Sequence, residues 1–269
     1  MISRTVGNIN LKIADTYEEM SREAAKIVIT QVTNKADSVL GLATGSTPLG
    51  LYEEIVKTNK KKEIDFSKVR TFNLDEYYPI HPEDPYSYAH YMDVHLFDYL
   101  NLSRKHIHLP DGATTNVEQE CRDYEAKIKS VGGIDLQVLG IGTNGHIGFN
   151  EPNHYFEKRT HLVDLNQETI EANAHFFGCS SKVPSQAISM GIASIMEAKR
   201  ILLLASGKQK AEVIEKALFG KISPQLPASI LQLHKEVYLV LDQEAAASII
   251  NQVKPPSCYW GKVLTQQSY

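Results

Sequence analysis

Two adjacent carboxylates follow an apolar run in the segment Thr71–Tyr78, which reads TFNLDEYY. Asp75 and Glu76 stand there between aromatic and aliphatic residues. A carboxylate beside apolar surface is a candidate general base, because desolvation raises its pKa. Aspartate is also a good cap for a turn or helix, and this segment taken alone favours the capping role.

A glycine-rich segment, Leu139–Pro152, reads LGIGTNGHIGFNEP and contains His146 and Glu151. Four glycines at this density indicate close backbone approach or positive φ angles, which a packed core does not need. An imidazole oriented by a nearby carboxylate transfers protons near neutral pH. The segment therefore predicts an acid–base pair in a tight loop.

A third segment, Leu40–Gly50, reads LGLATGSTPLG and favours an anion site or a capped helix about equally. Gly45 allows close approach of backbone N–H groups, and Ser46 and Thr47 add hydroxyl donors. Pro48 suits the first turn of the helix that follows. The segment has neither the Walker A pattern nor the three-glycine dinucleotide pattern. A fourth segment, Ser206–Lys210, places lysines where one could reach a phosphate.

Short apolar runs alternate with amphipathic segments along the whole chain, which predicts a parallel α/β sheet with helices on both faces. The predicted strands are Ser38–Leu42, Val69–Leu74, Asp135–Ile141, Arg200–Ala205 and Val237–Leu241. The predicted helices are Thr16–Thr33, Pro48–Lys61, Tyr86–Leu100, Val117–Val131, Lys208–Phe219 and Glu244–Val253. Ligands bind such sheets at the carboxyl ends of the strands, where the four segments should meet.

No linker or repeat divides the chain, so we expect a single α/β domain over residues 1–269. Residues 153–184 are polar and weakly periodic, and we interpret them as an active-site lid inserted after a strand. The 269 residues carry 28 Lys and Arg against 32 Asp and Glu, and 42% are hydrophobic. This composition excludes a disordered chain and argues against a protein that coats nucleic acid.

The cysteines suggest a reduced compartment, because Cys121, Cys179 and Cys258 are few, odd in number and far apart. The N-terminal residues have no apolar signal run, and no stretch is long enough to cross a membrane. We therefore expect a cytoplasmic protein. His106 and His108 lack a third ligand, so no metal site is expected.

The four segments, in this order and spacing, resemble the glucosamine-6-phosphate deaminases over nearly the whole chain. The resemblance implies a Rossmann-like fold and conversion of glucosamine 6-phosphate and water to fructose 6-phosphate and ammonia, without a cofactor. It also implies that Asp75 moves a proton between C2 and C1, that His146 opens the sugar ring, and that Glu151 belongs to the relay of His146. The phosphate-binding residues that it implies are Gly45, Ser46, Thr47 and Lys210.

This sequence departs from many members of the family at three places. Asn144 stands where an aspartate is usual in the catalytic loop, so it can orient a neighbour but cannot carry charge. His175 stands where a phosphate-binding arginine is expected; histidine is shorter and titratable. His161 and Val163 occupy positions that are cationic in allosteric, hexameric relatives. We therefore expect no activation by N-acetylglucosamine 6-phosphate, and a monomer or small homo-oligomer.

Three other functions are compatible with the same segments. A galactosamine-6-phosphate deaminase/isomerase would differ only at the contact with the sugar C4. A lactonase of the same fold would need no base for the C2 proton. A sugar-phosphate sensor would have the pocket without the chemistry, and it would usually be fused to a DNA-binding segment, which this sequence does not contain.

Overall fold

The computed structural model describes residues 1–179 and 182–253, including every side chain in these ranges except those of His175 and Phe176. Cys258 lies outside the described residues. The strands are β1 (Ile2–Val6), β2 (Ile9–Ile13), β3 (Val39–Leu42), β4 (Arg70–Asn73), β5 (Asp75–Tyr78), β6 (Ile107–His108), β7 (Leu136–Leu139), β8 (His161–Asp164), β9 (Gln186–Ser189), β10 (Ile201–Ala205) and β11 (Val237–Leu241). The helices are α1 (Tyr17–Asn34), α2 (Leu49–Lys60), α3 (Tyr88–His95), α4 (Val117–Ser130), α5 (Gln167–Phe177), α6 (Ile192–Met196), α7 (Ala211–Phe219) and α8 (Ile250–Val253).

Eight strands form one sheet in the order β1-β2-β11-β10-β7-β3-β4-β6. Every neighbouring pair is parallel except β1 and β2, which pair antiparallel through the short turn between them. All residues of β3, β7 and β10 are buried, as expected for strands covered by helices on both faces. The predicted α/β class and mostly parallel sheet are confirmed.

A second sheet contains three antiparallel strands in the order β5-β9-β8. The chain passes from the parallel sheet to this one at Leu74, whose N–H donates to the carbonyl of Leu42. A second apolar cluster lies beside this sheet and includes Tyr77, Phe149 and Phe177. The sequence analysis missed this sheet because its short strands, DEYY, HLVD and QAIS, have no continuous apolar run, and one of them, β8, lies in the polar segment 153–184.

Several predicted helix boundaries were wrong. The predicted helix Tyr86–Leu100 is shorter, because Ser87 caps α3 by accepting from the backbone of His90, and the helix ends at His95. A separate 3-10 turn follows it. The predicted helix Lys208–Phe219 begins as a 3-10 turn at Lys208–Lys210 before α7. At the C-terminal end of the described chain, only Ile250–Val253 is α-helical.

No helix in the two described ranges is long and apolar enough to cross a membrane.

Asp135 joins strands and loops at the amino edge of the parallel sheet, opposite the edge where the four segments meet. Its buried carboxylate accepts hydrogen bonds from the N–H of Val39 at 2.8 Å and from Lys35 and Lys199 at 2.6 and 2.7 Å. These bonds outweigh burial and lower the pKa of Asp135. The group therefore stabilises the entry of β3 and β7 into the sheet.

We predict that Asp135→Ala destabilises the protein by about 2 kcal/mol, since a buried backbone N–H loses its acceptor and two ion pairs are lost. The measurement is the free energy of unfolding in urea. Lys199→Ala is the matched control, because it removes one half-exposed ion pair and should change stability by less than about 1 kcal/mol. Equal losses in the two variants would show that the N–H acceptor is unimportant.

Candidate active site

The carboxyl ends of four neighbouring strands, β10, β7, β3 and β4, open on one edge of the parallel sheet. The loops that follow them line a cleft of about 720 Å³. Six of the predicted site residues line this cleft: Gly45, Ser46, Thr47, Asp75, His146 and Lys210. A larger groove between α4 and β8 contains none of the predicted site residues.

Three predicted residues lie elsewhere. Asn144 and Glu151 hydrogen-bond to each other behind the ring of His146 and do not line the cleft. His175 lies in α5, whose preceding turns line the cleft, but its side chain lies outside the described part of the structure.

Asp75, the first residue of β5, turns its carboxyl group toward the cleft. It is 6% exposed, and it accepts no hydrogen bond from any residue that the structure describes. Burial and the neighbouring charge of Glu76 raise the pKa of Asp75 to about 8. A carboxyl group in this condition can exchange a proton with a bound molecule near neutral pH.

Glu76 takes the capping role that the sequence also suggested. Its carboxylate accepts hydrogen bonds from the backbone N–H groups of Tyr88 and Ala89 at 2.8 and 2.9 Å, in the first turn of α3. It also accepts from the N–H of Tyr77 at 2.9 Å. Glu76 is therefore the cap, and Asp75, which points to the opposite side of the strand, stays the candidate base.

The ring of His146 lies directly on the backbone of Gly142. A Cβ atom at Gly142 would be 2.3 Å from Cε1 of His146, so no other residue type fits at this position without moving the ring. The turn between them requires Gly145 at φ +89°. Gly142 therefore makes room for the imidazole, and Gly145 provides the turn.

Glu151 lies behind His146 and is 7% exposed. Its Oε2 atom is 3.4 Å from Nδ1 of His146, within ion-pair distance but outside hydrogen-bond geometry. Asn144 joins the two residues, because its Nδ2 donates to Oε2 of Glu151 at 2.7 Å and its Oδ1 accepts from the N–H of His146 at 3.1 Å. An aspartate at position 144 would place a second carboxylate against Glu151, whereas the amide donates to it.

Two residues at the start of α5 also bond to Glu151. Thr169 Oγ1 donates to Oε1 at 2.5 Å, and Asn166 Nδ2 donates to Oε2 at 3.2 Å. Burial alone would raise the pKa of Glu151, but His146, Thr169 and Asn144 outweigh it, and the pKa lies below its usual value. Glu151 is therefore held as a carboxylate.

The loop after β3 is held by three tyrosine hydroxyls that the sequence analysis missed. They donate to its carbonyl oxygens: Tyr52 to Ala43 at 2.5 Å, Tyr91 to Gly45 at 2.7 Å, and Tyr17 to Ser46 and Thr47 at 3.1 Å each. The cleft-lining loop runs into the N-terminus of α2, whose orphan N–H groups attract anions. No local signal marks these tyrosines, because they come from α1, α2 and α3.

The loop after β10 is held by Asp242, a second residue that the sequence analysis missed. Its carboxylate accepts from Ser206 Oγ at 2.5 Å and from the N–H of Gly207 at 3.0 Å. This contact places Lys210 in the cleft, where burial lowers its pKa against the opposing charge of Glu168. A signal for Asp242 was present, since it directly follows the apolar run of β11 as Asp75 follows that of β4.

The cleft therefore combines a buried carboxyl group, an imidazole–carboxylate pair, a lysine and a helix N-terminus. In the parts of the chain that the structure describes, no group of three or more His, Cys, Asp or Glu side chains could hold a metal ion. The arrangement suits proton transfers on a small anionic molecule.

The fold is that of an α/β protein with a cleft suited to a small anionic molecule, and a family model matches the chain. The chain belongs to the family of glucosamine-6-phosphate isomerases and 6-phosphogluconolactonases, whose family model matches residues 13–240.

Glucosamine-6-phosphate deaminases from Clostridium botulinum (strain Langeland) and Clostridium novyi (strain NT) are similar to this chain. They are 54% identical over 237 residues and 55% identical over 233 residues, which is 88% and 87% of this chain and 97% of each relative. A solved structure of a monomeric glucosamine-6-phosphate deaminase has a TM-score of 0.87 at 45% identity, covering 88% of this chain and 99% of its own. The 6-phosphogluconolactonase of Trypanosoma brucei shares the fold, with a TM-score of 0.70 at 17% identity, covering 89% and 98% of the two chains.

We predict that Asp75→Asn stabilises the protein, and more so at pH 9 than at pH 5. The folded-state pKa of Asp75 lies above its unfolded value, so its contribution to wild-type stability is lost as pH rises toward about 8, and the variant lacks this contribution while keeping that of Glu76, whose pKa burial raises to about 7. The difference should reach at least about 2 kcal/mol, since each pKa unit corresponds to about 1.4 kcal/mol. Thermal unfolding at the two pH values measures it. A stability difference that does not change with pH would contradict the raised pKa.

Proposed function

We propose that this protein converts glucosamine 6-phosphate and water to fructose 6-phosphate and ammonia, in the breakdown of amino sugars. The observation that carries the proposal is the pairing of two separate proton-transfer groups in one cleft: Asp75 alone on one wall, and His146 with Glu151 on another. An aldose–ketose isomerisation needs both, one for the ring oxygen and one for the carbon-bound proton. Relatives that are 54% identical bear the name of this enzyme.

In this proposal His146 opens the sugar ring. The pyranose opens when a proton leaves the C1 hydroxyl and another reaches the ring oxygen, and one imidazole can serve both atoms in turn. The negative charge of Glu151 stabilises the imidazolium that forms between the two transfers. Asn144 holds His146 and Glu151 in position by hydrogen-bonding to both residues.

Asp75 is the proposed base of the isomerisation. Its carboxylate takes the proton from C2 of the open-chain sugar, the released electron pair forms the C1–C2 double bond of an enolamine, and the C1 carbonyl oxygen takes a proton from the C2 ammonium group. The carboxyl group then returns its proton to C1, and the nitrogen lone pair forms the C2 imine. The ammonium group on C2 of the substrate is a cation next to this carboxyl group, so binding lowers the pKa of Asp75 and produces the base. Water then adds to the C2 imine, and ammonia leaves as the C2 carbonyl forms.

The phosphate is held away from the reacting carbons. Gly45, Ser46 and Thr47 supply backbone and hydroxyl donors at the start of α2, and Lys210 supplies a positive charge. His175 is proposed as a further phosphate ligand from α5. Binding at this distance positions C1 and C2 against the two proton-transfer groups.

We also propose that residues 1–269 form a single domain in which residues 153–184 act as the lid. The first turn of α5 bonds to the catalytic loop at Glu151, and Thr143 Oγ1 donates to Glu168 at 2.8 Å. The protein is proposed to be cytoplasmic, to act without a cofactor, metal, nucleic acid or membrane, and to be a monomer or small homo-oligomer. A monomeric relative of 45% identity supports the last point.

We expect ammonia release from glucosamine 6-phosphate by the purified protein, with no added metal, and a fall of at least about 100-fold in Asp75→Asn. Galactosamine 6-phosphate is assayed in parallel. Release from the galactosamine compound alone would retain the mechanism and change the substrate. Hydrolysis of 6-phosphogluconolactone that is unchanged in Asp75→Asn would instead identify a lactonase. No reaction with any of the three compounds would favour a sensor.

We predict that His175→Arg lowers KM for glucosamine 6-phosphate by about tenfold with little change in kcat, because arginine binds phosphate through two hydrogen bonds and keeps its charge at every working pH. Steady-state kinetics at pH 7 and 8 measures the change. A KM equal to that of the wild-type protein would remove His175 from the phosphate site.

A further inference from the structure

The side chain at the N-cap of α5 does not cap its helix. An asparagine in this position usually accepts a hydrogen bond from a backbone N–H two or three residues later, and Asn116 does so for α4, accepting from Gln119 at 3.1 Å. Asn166 makes no such bond at the start of α5. Its Nδ2 donates instead to Oε2 of Glu151 at 3.2 Å, so helix stability does not explain its orientation.

Thr169, in the same first turn, completes the contact with Glu151. Its Oγ1 donates to Oε1 at 2.5 Å, and the residue is 3% exposed. Among the groups that the structure describes, Thr169 is the sole hydrogen-bond donor to Oε1. The two carboxylate oxygens are thus divided, with Oε1 held by α5 and Oε2 facing His146.

This division fixes the rotation of the Glu151 carboxylate. Oε2 is 3.4 Å from Nδ1 of His146 and outside hydrogen-bond geometry. A small rotation about the terminal bond of Glu151 therefore decides whether Oε2 and Nδ1 form a hydrogen bond. Asn144 holds only the oxygen that faces His146. The other end of the carboxylate depends on the position of α5.

We propose that Thr169 and Asn166 are positioning residues for the His146–Glu151 relay, so that the relay is complete only when the first turn of α5 is seated on the catalytic loop. The inference rests on the proposed function and assigns α5 a task in it beyond covering the cleft. Neither residue exchanges a proton with the substrate; both act through Glu151.

Other titratable groups surround Glu151 and bear on its ionisation. His146 faces it from the catalytic loop, Glu168 lies beside Thr169 on α5, and three groups line a smaller cavity on its far side: Glu157, His161 and Asp164. Replacing Thr169 leaves all of these in place. A change in the titration of Glu151 in such a variant therefore reports on the lost hydroxyl.

The test is Thr169→Val, which keeps the side-chain shape and removes the hydroxyl. We expect kcat to fall about tenfold with KM within about twofold, since one hydrogen bond to a charged group is lost. The acid limb of the pH–kcat profile should move to higher pH, because the Glu151 carboxylate loses a donor and its pKa rises. Thr169→Ser restores the donor and should return both quantities to near the wild-type values.

Thr160→Val is the matched control on the same lid segment. Thr160 Oγ1 donates to Glu125 at 2.7 Å and is similarly buried, but this bond does not reach the relay. The control should leave kcat and the pH profile unchanged. An equal fall of kcat in both valine variants would show a general loosening of the segment and overturn the proposal.

A readout without substrate separates this inference from the proposed function. Carbon-13 NMR of glutamate-labelled protein, with the Glu151 signal assigned by its absence in Glu151→Gln, gives the titration midpoint of this carboxyl group. A higher midpoint in Thr169→Val is expected, even if the protein should release no ammonia from either amino sugar. Folded Thr169→Val with an unchanged midpoint and unchanged kcat would overturn the proposal.

Discussion

Burying a carboxyl group without a hydrogen-bond donor is unfavourable, and the active-site edge of this structure is arranged around one such group. Asp75 is this group, because no residue that the structure describes donates to it, whereas its neighbour Glu76 accepts the backbone donors of α3 on the other side of the strand. The negative charge of Glu76 then adds to the effect of burial on Asp75. The stability that the chain loses at this residue supplies the proton affinity that the proposed chemistry needs.

The opposite electrostatic arrangement holds for the other carboxylate of the site. Glu151 is also buried, but three polar side chains donate to it and an imidazole lies beside it. Its pKa is lowered while that of Asp75 is raised. Two carboxyl groups in one site thus differ in the number of hydrogen-bond donors that they receive, which separates the proposed proton carrier, Asp75, from a group held as a carboxylate, Glu151.

The sequence predicted the parallel sheet and the meeting of the four segments, because buried strands have continuous apolar runs and their carboxyl ends share one edge. The residues themselves predicted His146 and Glu151 as an acid–base pair, whereas the role of Asp75 as a base came from the family resemblance; the grouping of the three follows from the order of the strands. It could not predict the tyrosines that hold the loop after β3, since their hydroxyls act from three different helices. The second sheet was missed because its strands, DEYY, HLVD and QAIS, mix polar and apolar residues and contain no continuous apolar run.

The junction at Leu74 joins two sheets without a loop, and this has a consequence for chain length. β5 pairs with β9 in a defined register, with Asp75 opposite Ser189 and Glu76 opposite Ile188. Since successive side chains on a strand alternate between its faces, shifting β5 by one residue would turn Glu76 to the cleft and Asp75 to the helix. Connections between sheets usually tolerate insertions and deletions, but here a change of one residue would exchange the positions of the proposed base and of the helix cap. This junction should therefore vary in residue type before it varies in length.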